Sequence, residues 1–293
     1  MEEENLEFLI QLEEIFGISQ IDINDPYTNI SAWTSMIKDI LWGSLEENLA
    51  HPDVERMQSI SESISGELIR DVGDWGIKDT LDSYWHEMYG LVRDLQRYVL
   101  KWILSISLSA VVPRMKELIN LNNGKILTFN FTSTLEDCYQ VDPSIIEHIH
   151  GGLEPYTYEV PIIGHGNKAS IQKYRSTARE ADEQFDEATT SIENAIADYY
   201  EETLKDTAEI IRNKRYFFQN LKTVNNIIVI GLSYSDVDMP YLQEIKRVVS
   251  PDASWTMCYF SPKSERQLDK AINQLEINHL YVTKIHSDAY LNS

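Results

Sequence analysis

Apolar positions in the first 120 residues recur at spacings of three and four, which predicts amphipathic helices rather than strands. The clearest stripe is Leu91, Val92, Leu95, Tyr98, Val99, Trp102, Ile103 and Ile106. Similar patterns predict helices over Leu6–Phe16, roughly Ser31–Leu49 and Val54–Val72, separated by turn signals at Asp25-Pro26, His51-Pro52 and Gly73. Every tryptophan except Trp255 lies between Trp33 and Trp102, as expected of a helical core filled by large side chains.

The pattern changes at Lys125. Ile126–Phe129 is a short apolar run ahead of a helix-like Thr132–Tyr139, Ile145–Ile149 reads as a second strand, and Val160–Gly164 is a candidate third. Residues 171–222 return to long-helix character, with Phe185, Ala188, Ile192, Ala195, Ile196 and Tyr199 on the apolar face and acidic residues elsewhere. Asn226–Gly231 is the strongest buried-strand signal, being β-branched, uncharged and ended by glycine. A helix over Met239–Val249, a strand over Trp255–Phe260, a helix over Pro262–Leu275 and a strand over His279–Thr283 follow. Strands alternating with helices predict an α/β fold with a parallel sheet, its strands near 125–130, 145–149, 226–231, 254–260 and 279–283, and 226–231 inside the sheet rather than at its edge. The expected organisation is a helical portion over 1–120 and an α/β domain over 121–293. A helical insertion near 171–222 should pack on or beside the first portion.

Composition narrows the function. The chain has 293 residues, 43% hydrophobic and 25% charged, enough for one large domain or two modest ones. Lys and Arg number 25 against 47 Asp and Glu, a net charge of −22, which argues against a broad basic face gripping nucleic acid. Small anions are not excluded, because helix N-termini and local basic groups can hold them. Cys138 and Cys258 are too far apart for a Cys-x-x-Cys zinc site, and two cysteines do not make a disulfide-built domain. Met1-Glu2-Glu3-Glu4 is the reverse of a signal-peptide start, and the apolar stretch Ile103–Val112, broken by Ser105, Ser107 and Ser109, is too short to span a bilayer. A cytoplasmic protein without a membrane partner is expected.

Candidate chemistry lies at three strand ends, where ligands of open α/β sheets bind. Thr128-Phe129-Asn130 delivers a carboxamide that can both donate and accept hydrogen bonds. His150-Gly151-Gly152 offers an imidazole beside glycines that permit close approach. Gly231-Leu232-Ser233-Tyr234-Ser235-Asp236-Val237-Asp238 runs from strand to helix, with Asp236 or Asp238 as the helix cap and free amides suited to an oxygen-rich ligand. Singly, each reads as well as a turn residue, a loop histidine or a cap. His148 and His150 alternate along a strand and so should not ligate one metal together. His165 reads either as a cleft residue or as a structural one, and Arg212, Lys214 and Arg215 either as helix-end charges or as phosphate ligands.

The order of these segments is more specific than any one of them. Ile126-Leu127-Thr128-Phe129-Asn130-Phe131-Thr132-Ser133-Thr134-Leu135-Glu136 resembles the LTFNYTxTLE signature of AbiH-type bacteriophage abortive-infection proteins. Ile149-His150-Gly151 resembles that family's IHG, Gly164-His165 its GH, and Ile230–Asp238 its IxGxSxxDxD. Trp42-Gly43-Ser44-Leu45-Glu46 resembles its Trp and Leu-Glu helix, so the resemblance spans roughly residues 30–275. The family is in turn distantly similar to sirtuins. That resemblance implies a parallel Rossmann-like (sirtuin-like) sheet flanked by helices, with NAD or a related nucleotide as substrate or ligand. It implies that Asn130 positions the nicotinamide ribose and the attacking water and that His150 is the general base. Thr128, Gly151, Gly231, Ser233 and Asp238 would line the nucleotide. Two cysteines leave no zinc module, so hydrolysis of free NAD is implied rather than deacylation.

The chain departs from the family at its start. The Gly-Asn-Gly-Phe-Asp turn is not matched, no Gly-x-Gly precedes residue 120, and Gly164-His165-Gly166 lies elsewhere. Three readings stay open: a start placed too far downstream, another strand (from a partner, for example) in the gap, or lost cofactor binding. The expectation is an antiviral abortive-infection protein that hydrolyses a nucleotide, with Asn130, His150 and Ser233 meeting in one cleft and Asp238 nearby. The alternative is a non-catalytic nucleotide-fold sensor or assembly component. A homo-oligomer or a defence-system partner fits both.

Overall fold

The computed structural model describes residues 45–72, 77–86, 100, 103–104, 106–115, 118, 124–152 and 161–292. The expected helix over Leu6–Phe16, the part of the next one that precedes Leu45, and most of the stripe from Leu91 to Ile106 lie outside the described residues. The helices are α1 (Leu45–Ala50), α2 (Val54–Val72), α3 (77–86), α4 (Thr134–Asp137), α5 (Lys168–Glu183) and α6 (Glu187–Glu202). They continue as α7 (Thr207–Asn213), α8 (Arg215–Gln219), α9 (Met239–Val248), α10 (Pro262–Leu275) and α11 (Ser287–Leu291). The strands are β1 (Ile126–Thr128), β2 (Ile146–His148), β3 (Asn226–Val229), β4 (Ser254–Tyr259) and β5 (Val282–His286). Among the described residues no helix is long and apolar enough to cross a membrane.

The chain divides into two compact units, one drawn from Met1–Val99 with Ile163–Lys205, the other from Leu100–Ile162 with Asp206–Ser293. In the first, Asn167 and Asp186 accept hydrogen bonds from the Ser170 and Thr189 amides and so start α5 and α6. Leu49, Met57, Leu81, Trp85, Tyr174, Ile192, Ile196 and Tyr199 form the core. Tyr199 donates its hydroxyl proton to the Leu49 carbonyl at 3.1 Å, and Gln58 donates to Glu193 at 2.8 Å, tying α1 and α2 to α6. Phe185 does not share the apolar face expected of it. It lies in the α5–α6 connection at φ +59° and is 92% exposed, because the chain breaks at 184–186 and a new helix takes up the apolar face.

The second unit holds two small parallel sheets, β1–β2 and β3–β4–β5. The expected single Rossmann-like sheet is thus not what the described strands form. β3 ends its sheet's order instead of lying inside it: among the described residues it pairs only with β4, and Ile228 is 43% exposed. Its apolar run is buried on one side only, through Ile227 and Val229. Both sheets still contribute to one apolar core, where Ile149, Leu127 and Phe129 join Val229, Tyr241, Leu242, Trp255, Met257 and Leu268. Val160–Gly164 does not supply a third strand: residues 153–160 lie outside the description, 161–164 are not strand, and His165 makes an isolated bridge with Leu204. The last strand starts later than expected because Asn278 accepts from the Leu280 amide and turns His279–Tyr281 into a 3-10 turn.

Candidate functional site at the β1 and β2 ends

Parallel pairing of Thr128 with His148 places the residues after β1 and after β2 at the same end of their sheet. The ladder runs one bond further, Ile149 N–H donating to the Thr128 carbonyl at 3.1 Å. Thr128 is buried, and its hydroxyl accepts from the Asn130 amide at 3.2 Å. Asn130 is exposed, leaving its carboxamide open to a ligand. Its own carbonyl lies 3.0 Å from His148 Nδ1, while His148 Nε2 lies 2.7 Å from Glu136 Oε1 on α4.

His150 is only 4% exposed. Its Nε2 is 3.2 Å from the Tyr241 hydroxyl, and its ring meets Phe129 edge-on at 5.3 Å between centroids. Phe129 meets Tyr241 in the same way at 5.5 Å. Since Tyr241 belongs to α9, the helix reached from β3, the ends of β1 and β2 and the start of α9 converge. Gly151 is buried at φ +78°, a backbone conformation that favours glycine and lets the chain turn sharply behind His150.

The β3 end is looser. Gly231 sits at φ +71° and is exposed, and a Cβ there would meet nothing within 4 Å, so backbone conformation and not crowding asks for glycine. Ser233 is exposed, and its hydroxyl makes no hydrogen bond among the described residues. Asp238 is buried and occupies the N-cap position of α9, one of the two places expected for the cap, but its side chain makes no capping hydrogen bond. Asp238 Oδ2 accepts instead from the Ser235 hydroxyl at 3.1 Å, and Asp236 is exposed. Tyr234, buried beside these residues, donates to the Cys258 carbonyl at 2.9 Å, and burial raises its phenol well above the usual range.

Two other expectations resolve structurally. Lys214 pairs with Glu147 of β2 at 2.7 Å, while Arg212 and Arg215 are exposed. His165 belongs to the other compact unit and has both ring nitrogens in use. Nδ1 accepts from the Asn167 amide and Nε2 donates to the Thr203 hydroxyl, each at 2.9 Å. Burial pushes its imidazole down to about 4, so it is held neutral. Gly164 is needed for packing: a Cβ there would lie 2.3 Å from the Thr203 carbonyl oxygen.

A family model, Bacteriophage abortive infection AbiH, matches residues 12–259, most of the chain and all three strand-end segments. The chain belongs to the AbiH family. Its role is therefore phage defence by abortive infection. No curated protein and no solved structure matches this AbiH chain. Within the matched span the residues divide by role: Gly164 and His165 hold backbone together, whereas Asn130 presents a free polar group at a strand end. The Glu136–His148 contact was not foreseen from sequence. Glu136 stood at the end of the AbiH signature and His148 two positions before His150, but no spacing rule joins a residue of a one-turn helix to one at the end of a strand.

Proposed function

We propose that this AbiH chain is a cytoplasmic effector that binds NAD or a related nucleotide at the β1 and β2 ends and hydrolyses its bond to nicotinamide. The observation carrying this reading is the exposed Asn130 carboxamide on a backbone bonded on both sides, following Phe129, whose ring packs against His150. Such a group can orient a ribose hydroxyl and a water molecule at once. In the reaction, water oxygen bonds to the ribose C1′ and the C1′–N bond breaks. Its electron pair returns to the nicotinamide ring, and the water proton passes to His150 and on to solvent. The fit is uneven along the ligand. Asp238 near the start of α9 suits ribose hydroxyls and opposes a diphosphate, so the phosphates would rest on the Gly231–Ser233 turn.

The burial of His150 and its contact with Tyr241 favour a second reading, a non-catalytic nucleotide sensor acting with a second copy or another defence component. As a base, His150 Nε2 is available only after the Tyr241 hydroxyl turns aside. Tyr241→Phe and His150→Ala separate the two. In the enzymatic reading His150→Ala abolishes NAD loss and phage protection, while Tyr241→Phe keeps both. If His150→Ala protects fully, the enzymatic reading fails.

A further inference from the structure

Glu136 and His148 are both buried, at 5% and 7% exposure, and Glu136 Oε2 has no hydrogen-bond partner among the described residues. Both ring nitrogens of His148 face oxygen: the Asn130 carbonyl at 3.0 Å and Glu136 Oε1 at 2.7 Å. A carbonyl can only accept, so Nδ1 must carry a proton, and a second proton lies between Nε2 and the carboxyl oxygen. A pair so placed spans three elements: the one-turn helix α4, the last residue of β2 and the segment after β1. We infer that Glu136 and His148 are positioning residues that fix the backbone of Asn130 through its carbonyl and so aim its carboxamide. The inference rests on the reading of Asn130 as the ligand-orienting group.

The decisive comparison is Glu136→Ala against Glu136→Gln. A glutamine amide can donate to Nε2 and hold a neutral His148 in the same pose with Nδ1–H still on Asn130, whereas alanine releases the ring. Imidazole nitrogen NMR of the full chain, with His148 assigned by its loss in His148→Gln, should show Nδ1 protonated in the wild type and in Glu136→Gln. Hydrogen exchange at the Asn130 amide should rise at least about tenfold in Glu136→Ala and stay near wild type in Glu136→Gln. With NAD as probe, Glu136→Ala should lose at least about tenfold in kcat at nearly constant KM, with Glu136→Gln restoring most of it. A bare Nδ1 in the wild type overturns the inference. So does a glutamine variant whose Asn130 exchange rises to at least the level expected of alanine, or an alanine variant whose exchange is unchanged. If Glu136→Ala fails to fold, the wild-type nitrogen and the glutamine exchange decide. If the wild type cleaves no NAD, the proposed function fails while the exchange and nitrogen measurements still judge the positioning.

Discussion

Gly164→Ala probes the packing assigned to the Gly164-His165 pair. The added Cβ would stand 2.3 Å from the Thr203 carbonyl oxygen, 3.0 Å from the Lys205 nitrogen and 3.2 Å from the Leu204 carbonyl carbon. All three are backbone atoms, so no side chain can rotate away. Relief requires the 164–165 segment to separate from 203–205, which lengthens His165 N–H to Thr203 carbonyl (3.0 Å) and Lys205 N–H to His165 carbonyl (2.9 Å). Overpacking strain of about 1–3 kcal/mol and weakening of two hydrogen bonds worth about 1 kcal/mol each give a loss of about 3 kcal/mol. Gly66 is the control. It lies in the middle of α2, where a Cβ meets nothing within 4 Å, so Gly66→Ala should stabilise by about 0.5–1 kcal/mol. Urea unfolding of the three proteins, followed by circular dichroism, reads both effects as midpoint shifts at constant slope. A Gly164→Ala midpoint at or above wild type would refute the close-approach account, most sharply if Gly66→Ala raises its own.

Other outcomes follow from buried charge and titration. Lys205 has a fully buried side chain with Nζ 2.6 Å from Glu46 Oε1, so Glu46→Ala should cost about 3 kcal/mol in urea unfolding. Lys205→Met, which removes the buried charge and keeps the bulk, should cost less. His165 titrates near 4 when folded against 6.5 for an ordinary imidazole, so the unfolded chain binds the extra proton first. Its contribution, on the order of 3 kcal/mol, is complete above pH 6.5 and lost as pH falls towards 4. His165→Gln should therefore show a shallower loss of stability than wild type between pH 7 and pH 4.5; equal slopes would contradict the assignment.

Strongly periodic elements were legible in the sequence. The helix over Val54–Val72 lies where its spacing put it, and α9 and α10 begin and end within a residue of expectation. The parallel pairing of all five strands also follows from their alternation with helices. Sheet membership was not legible, because it depends on partners outside each strand. The Asn226–Val229 run has the composition of a two-sided strand, and only the exposure of Asn226 and Ile228 shows it to be one-sided. Phe185 carried the right period but fell on the residue where Asp186 restarts the helix. At the site, Asn130 and His150 were legible as polar residues at strand ends. Glu136 and His148 were not, since a buried contact between a one-turn helix and a strand end leaves no local pattern. Gly164 belongs to the Gly-His motif, but its reason is a backbone approach 39 residues away, at Thr203.

The most direct test of the account is the NAD content of phage-infected cells carrying the wild-type chain or Asn130→Ala. Asn130 is exposed, so the substitution opens no core cavity and the urea midpoint should stay within about 0.5 kcal/mol of wild type. NAD should fall, with nicotinamide appearing in its place, only in cells with the wild type, and phage protection should vanish with Asn130→Ala. Wild-type protection at constant NAD, or protection that survives Asn130→Ala, would contradict the account.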